Sequence, residues 1–226
     1  MHKTTLLAAL AMVALATPAA AQHVDPTTKV TGSGVLPAGW NLRFDPPAPA
    51  HAHGDALKAI VFETVDSGFR IASGPAAIYY KTGDVAKGEF AVSATFTQNK
   101  DMGHEAAGLF FGGSNLMEPT QNYVYFVIRA QDGTAMISQR TSDKAPKALK
   151  PYFAHSAINK QDKNGNATNA ITIHAAPDTV HFVVNGQLVA ALAKSQIAGG
   201  TSDGQVGMRV NHNMDLRITR YNLQKQ

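Results

Sequence analysis

Tyr123, Tyr125 and Arg129 fall on one parity of an extended segment, and Arg140 follows on the far side of an Asp132-Gly133 dipeptide. An aromatic ring offers an apolar plane to the C–H groups of a sugar, while Arg and Tyr donate hydrogen bonds at fixed angles. Together they suit a carbohydrate or an acidic glycan. The same residue types are also good strand formers that pair across strands or lie under loops. A two-residue turn at Asp132-Gly133 sets the register of the hairpin. It puts Gln131 opposite Thr134, Arg129 opposite Met136, Val127 opposite Ser138 and Tyr125 opposite Arg140. On the other side Ile128 opposes Ile137 and Ala130 opposes Ala135. The expected outward face is Tyr123, Tyr125, Arg129, Ser138 and Arg140, and the core face is Val124, Phe126, Ile128, Ala130, Ala135 and Ile137.

A second polar cluster, Asn211-His212-Asn213, sits between the last two extended segments. Alternation puts Val206, Met208 and Val210 inward and Arg209 and Asn211 outward, where they add polar groups to the same face. Asn and His are equally ordinary turn residues that tolerate positive φ. His104-Glu105 is the best local acid/base pair. Glycosidases use two carboxylates across the scissile bond, yet Glu63, Glu89, Glu105 and Glu118 do not form a spaced acidic triplet on one strand. No G-x-S-x-G nucleophile motif is present. The absence of Cys excludes thiol catalysis and Cys-ligated metal. His51-Ala52-His53 could share a metal at i and i+2, but no further ligands stand at suitable spacing, and a solvated loop is the expectation. His23 is out of register for an amino-terminal copper site. No metal and no cofactor is expected. Trp40, beside Leu42 and Phe44, reads as a core anchor rather than a sugar platform, and Asn166-Ala167-Thr168 is a glycosylation sequon only in a eukaryotic host.

These side chains are positioned by short strands. Residues 89–97 alternate Phe90, Val92, Ala94 and Phe96 with Ala91, Ser93, Thr95 and Thr97, a strand with one dry and one wet face. Residues 60–65, 69–72, 77–80 and 107–111 read as further strands between Gly and Asp turns. Residues 123–131 and 134–140 flank Asp132-Gly133, and residues 180–184 and 187–192 flank Asn185-Gly186; both dipeptides suit a type I′ turn. Residues 169–174, 205–210 and 216–223 complete the set. The one marginal helical stretch is 189–194. Many short strands without alternating helices imply an all-β, antiparallel two-sheet sandwich or jelly roll.

Gly74-Pro75-Ala76-Ala77-Ile78-Tyr79-Tyr80, the run from His104-Glu105 to Gly112-Gly113, Asn169 with residues 180–186, and residues 204–216 resemble bacterial exported proteins. These carry a concanavalin A-like (laminin G-like) jelly roll, and the nearest group is the 3-keto-disaccharide hydrolase-like domain. The resemblance spans residues 57–223 and is firmest in the closing pattern of strand, Asn-Gly turn, strand, Gly-x-Val-Gly and a final polar strand. It implies a concanavalin A-like jelly roll, a fold whose members include lectins, hydrolases and adhesion modules. No pair of catalytic carboxylates is matched here.

Met1, His2 and Lys3 precede an apolar run, and Ala19 and Ala21 satisfy the signal-peptidase rule, so residues 1–21 read as a signal peptide cleaved before Gln22. The run is shorter than the ~20 residues a spanning helix needs, so no stable membrane insertion is expected. The expected destination is periplasmic or secreted. Residues 22–55 form a Pro-rich arm in which residues 40–44 could make an edge strand, and 56–226 form the sandwich. The formal charge of +4 is dispersed; Lys144, Lys147, Lys150, Lys160 and Lys163 lie in what reads as a solvated polar loop, so no nucleic-acid partner is expected. The leading functional expectation is a module binding carbohydrate or cell-envelope glycan through Tyr123, Tyr125, Arg129 and Arg140, joined by Arg209, Asn211 and His212. The alternatives are a hydrolase of a modified disaccharide or polysaccharide using Glu105 and His104, and an envelope interaction protein without a small-molecule ligand.

Overall fold

Period-two alternation becomes fourteen strands among the residues that the computed structural model describes, 30–46 and 54–226. In chain order they begin with β1 (Trp40–Phe44), β2 (Ile60–Val65), β3 (Gly68–Ser73), β4 (Ala77–Ala86) and β5 (Phe90–Asn99). Next come β6 (Ala107–Ser114), β7 (Asn122–Arg129), β8 (Thr134–Arg140), β9 (Lys147–Ala154) and β10 (Asn166–Ala175). The chain closes with β11 (Thr179–Val184), β12 (Gln187–Ala193), β13 (Gly204–Val210) and β14 (Asp215–Lys225). They make two 7-stranded antiparallel sheets: a front sheet in the order β1-β4-β13-β6-β7-β8-β9 and a back sheet in the order β12-β11-β10-β5-β14-β3-β2. Among the described residues there is no α-helix, and no helix is long and apolar enough to cross a membrane. The marginal helical stretch at 189–194 is instead most of β12 running into a single 3-10 turn.

The core lies between the sheets. From β5, Phe90, Val92, Ala94 and Phe96 point into it, while Ala91, Ser93, Thr95 and Thr97 stay half-buried on the outer side. Phe111 and Phe126 of the front sheet meet Phe182 of the back sheet at ring separations of 6.2 and 5.0 Å. Burying each such ring contributes about 1.5–3 kcal/mol. β1 forms one edge of the front sheet, and Trp40 packs edge-on against Phe62 and Phe69 at 5.1 and 5.0 Å. It is a core anchor because its ring closes the gap between the sheets.

Two expectations are corrected here. Residues 147–154, read as part of a solvated loop, form the opposite edge strand, β9. Leu149 and Phe153 pack on the core, while Lys147, Lys150 and Pro151 guard an edge that would otherwise invite pairing. The lysines follow from edge protection and not from absence of structure. Secondly, the Asp132-Gly133 hairpin does not close in two residues. Arg129 pairs with Thr134, Val127 with Met136, Tyr125 with Ser138 and Tyr123 with Arg140, while Ile128 faces Ala135 and Phe126 faces Ile137. A type I′ turn needs two positive φ values, and here only Gly133 has one, at 70°. Asp132 is diverted: its carboxylate accepts from Thr134 N at 3.2 Å and Thr134 Oγ1 at 2.6 Å, stabilising a four-residue loop. Because the slip is by two, every side chain keeps its expected face. At Asn185-Gly186, with φ of 50° and 81°, the two-residue turn forms and Val184 pairs with Gln187.

Candidate functional site on the outer face of the front sheet

Arg209 projects outward from β13, with Ile78 of β4 on one side and Gly108 of β6 on the other. Gly108 has no side chain, so the Arg209 guanidinium can lean over it towards β7, where it sits 5.4 Å from the Tyr125 ring centre. Asp45, immediately beyond β1, accepts from Arg209 Nη1 at 2.6 Å and Nη2 at 2.7 Å, and from Arg140 Nη2 at 3.1 Å. Arg140 Nε in turn donates to Tyr123 Oη at 3.1 Å. Burial alone would raise the Asp45 pKa, but the Arg209 and Arg140 guanidiniums outweigh it and hold the carboxyl below its usual value. Burial raises the Tyr123 phenol, against the pull of the same arginines.

Two loops roof this face. In the β6–β7 loop, Leu116 and Met117 pack with Ile78, Tyr80, Phe110 and Tyr123 in a second apolar cluster. Arg43 of β1 fastens that loop: its Nη1 donates to the carbonyls of Leu116 at 2.6 Å and Glu118 at 3.1 Å. Arg43 Nη2 pairs with Asp143 of the β8–β9 loop, which also accepts from Gln121 Nε2 at 2.7 Å and donates its N–H to Pro119 O. Arg140 Nη1 holds the same loop through the Lys144 carbonyl at 2.8 Å. The expectation that Tyr123, Tyr125, Arg140 and Arg209 stand open to solvent is therefore corrected. They lie on the expected face, but none is more than 5% exposed, because the roof and the Asp45 network cover them. Ser138 is buried with them.

At the other end of the same strands the face opens. Arg129 is clamped by Asp132, its Nε donating at 3.0 Å, and its guanidinium lies 4.2 Å from the ring centre of Tyr152. Tyr152 is 37% exposed. Its phenol is pushed up by partial burial, opposed by Arg129 and reinforced by Tyr125 and Glu105. Glu105, half-buried, has its Oε2 3.9 Å from His212 Nδ1, and His212 also lowers the Asp45 pKa. The acid/base pairing is thus Glu105 with His212; His104 is exposed beside it. Asn211 is half-buried at the same rim, its N–H on Ala106 O and its carbonyl accepting from Ser73 Oγ at 2.7 Å.

The structure therefore gathers Arg129, Glu105, His212 and Asn211 at one opening and places Tyr123, Tyr125, Arg140 and Arg209 in its buried support. Sequence reasoning missed Asp45, Tyr152, Arg43 and Asp143. Tyr152 had a signal, the Leu149/Phe153 alternation around it; Asp45 had none, since its partners are remote in the chain. Among the described residues no group of three or more His, Asp or Glu could hold a metal ion. His23, His51 and His53, together with residues 1–21, lie outside the described residues. A half-exposed phenol and guanidinium beside two carboxylates and an imidazole can stack on an apolar ring face, exchange hydrogen bonds with hydroxyls and move a proton.

No protein-family model and no curated protein sequence matches the chain. Solved structures of similar shape are jelly-roll sandwiches. The carbohydrate-binding module CBM66 from Bacillus subtilis superposes with a TM-score of 0.58 at 14% identity, covering 82% of this chain and 95% of that one. A protein of unknown function with a galectin-like fold from Bacillus subtilis gives 0.57 at 11% identity, covering 82% and 88%. The family 7 alginate lyase A1-II′ gives 0.52 at 13% identity, covering 82% and 94%. At these identities the likeness defines the class, a two-sheet jelly roll.

Proposed function

We propose that this is an exported glycan-binding protein, periplasmic or secreted after cleavage near Ala21, with its ligand seated at the open end of the front sheet. The observation that carries the reading is the Arg129–Tyr152 platform, a guanidinium 4.2 Å from the centre of a ring that is 37% exposed, with Glu105 close enough to act on the Tyr152 phenol. An aromatic plane with fixed charged hydrogen-bonding groups around it is what a sugar ring needs, since one face of the ring is apolar and its rim is hydroxylated. Support from shape comes from jelly-roll neighbours whose names include a carbohydrate-binding module and an alginate lyase. Tyr125, Arg140 and Arg209 act in this reading as positioning residues. On a glycan array the wild-type protein retains at least one glycan, and Tyr152→Ala weakens retention about tenfold, which is 1.4 kcal/mol. A blank array for the wild-type protein withdraws the proposal.

The approach of Glu105 Oε2 to His212 Nδ1, 3.9 Å, favours a second reading, a hydrolase acting on a modified disaccharide or polysaccharide, as the 3-keto-disaccharide hydrolase-like resemblance implies. In it Glu105 and His212 share general acid/base work at the glycosidic oxygen. Glu105→Gln separates the two: retained binding with no turnover to lose favours the lectin, and lost turnover with retained binding favours the enzyme.

A further inference from the structure

The outer face of the back sheet, on the side of the sandwich away from Arg129 and Tyr152, carries a pair of imidazoles. His174 of β10 and His181 of β11 stand directly opposite each other. Both are half-buried, their ring centres are 5.9 Å apart, and their planes lie 23° from parallel. The row across the sheet runs Gln224, Ala91, His174, His181, Ala191, so no charged side chain is in register with the pair. Neither imidazole has a hydrogen-bond partner among the described residues. The ordinary uses of a surface histidine, to pair with a carboxylate or to hold a turn, are therefore absent. Two protonated rings placed face to face across strands would repel each other. Two neutral rings present nitrogen donors side by side, the ligand type that borderline transition-metal ions prefer. The spacing suits such an ion as well. A tetrahedral ion bound through ~2.1 Å bonds holds two imidazole centres about 5 Å apart, so the pair must close by only about 1 Å. Turning each ring about its side-chain bonds does this, and the small flanking side chains of Ala91 and Ala191 leave room for it.

We infer that His174 and His181 form a two-histidine site for a divalent transition-metal ion, with Cu²⁺ held most tightly and water filling the remaining positions. The preference follows from the donors: imidazole nitrogen favours Cu²⁺ over Ni²⁺ and Zn²⁺, whereas Mg²⁺ and Ca²⁺ require oxygen ligands. With two protein ligands the site is open, unlike the four-ligand closed sites that hold a fold together. It stands on the other sheet from the glycan site and does not depend on the glycan-binding reading.

The test titrates the whole protein with copper(II) chloride by calorimetry, comparing wild type with His174→Ala, His181→Ala and the double variant. Other histidines, His23, His51 and His53 among them, also take copper, so the result is read as the difference between proteins. Wild type is expected to bind one Cu²⁺ more than the double variant. Each single substitution weakens that one site about a hundredfold, the scale on which a second tethered ligand adds affinity. Zinc chloride shows the same difference at lower affinity, and magnesium chloride shows none. His174→Gln and His181→Gln, which keep a polar side chain on the sheet, repeat the comparison and separate loss of a ligand from loss of the fold. Equal copper binding by wild type and the double variant overturns the inference. So does a loss confined to one of the two histidines, which would leave a single-residue contact and no site.

Discussion

On the outer face of the front sheet, Arg43, Arg140 and Arg209 are each almost wholly buried and each meets a carboxylate or a row of carbonyls. On the outer face of the back sheet, Arg70 and Arg217 keep 43% of their side chains in water while pairing with Asp215, Glu63 and Asp66. The chemistry of the ions is the same and their energetics are not. A guanidinium removed from water must have its partners, and losing one leaves an uncompensated charge in a poorly polarisable place. A guanidinium at a wet surface exchanges its carboxylate for water at little cost. The front face is consequently rigid and specified, whereas the back face, with its Thr97–Thr168 hydroxyl contact at 3.0 Å and half-exposed Ser93 and Thr95, tolerates change.

The sharpest way to break this contrast is Asp45→Ala. It strands Arg209 and Arg140 together, and a destabilisation of about 3–5 kcal/mol is expected by analogy with broken buried pairs, read from the midpoint of denaturant unfolding. A loss no larger than that of a surface substitution would mean that water reaches the network freely. Acid supplies a milder version. The Asp45 pKa is lowered in the folded protein, so its stabilising contribution is complete above the unfolded value near 3.8 and disappears as pH falls below that towards the folded value. Wild-type stability should therefore fall more steeply below pH 3.8 than that of Asp45→Asn, and parallel acid limbs would show that Asp45 is not the group responsible. Smallest of all is Arg217→Ala on the back face, expected to cost under about 1 kcal/mol and to leave glycan retention unchanged. A cost like that of Asp45→Ala would erase the distinction between the faces.

How far these faces could be read from sequence depends on how local their causes are. Alternation in Phe90, Val92, Ala94 and Phe96, and the Asn185-Gly186 turn, are settled within a few residues, and the two-sheet jelly roll follows from such segments. Asp132-Gly133 looked equivalent to Asn185-Gly186, but its Asp had competing donors in Arg129 and Thr134, and the loop lengthened. The parity of Tyr123, Tyr125 and Arg129 was legible; the burial of the two tyrosines was not, because it depends on a roof held by Arg43, distant in sequence from both loops it binds. Lys147 and Lys150 concealed β9, and with it Tyr152, since charges that protect an edge strand look like those of a solvated loop.

Arg140 and Arg209 lie 95 and 164 positions beyond Asp45. A chain emerging amino end first displays β1 and its carboxylate long before either guanidinium exists, and large loops must close before the three can meet. The Asp45 network on the front sheet is therefore completed late in assembly, whereas the Asn185-Gly186 hairpin can form from its own neighbours alone. Any carboxy-terminal truncation ahead of β13 removes Arg209 and leaves Asp45 with Arg140 alone, without the cation that meets its carboxylate most closely.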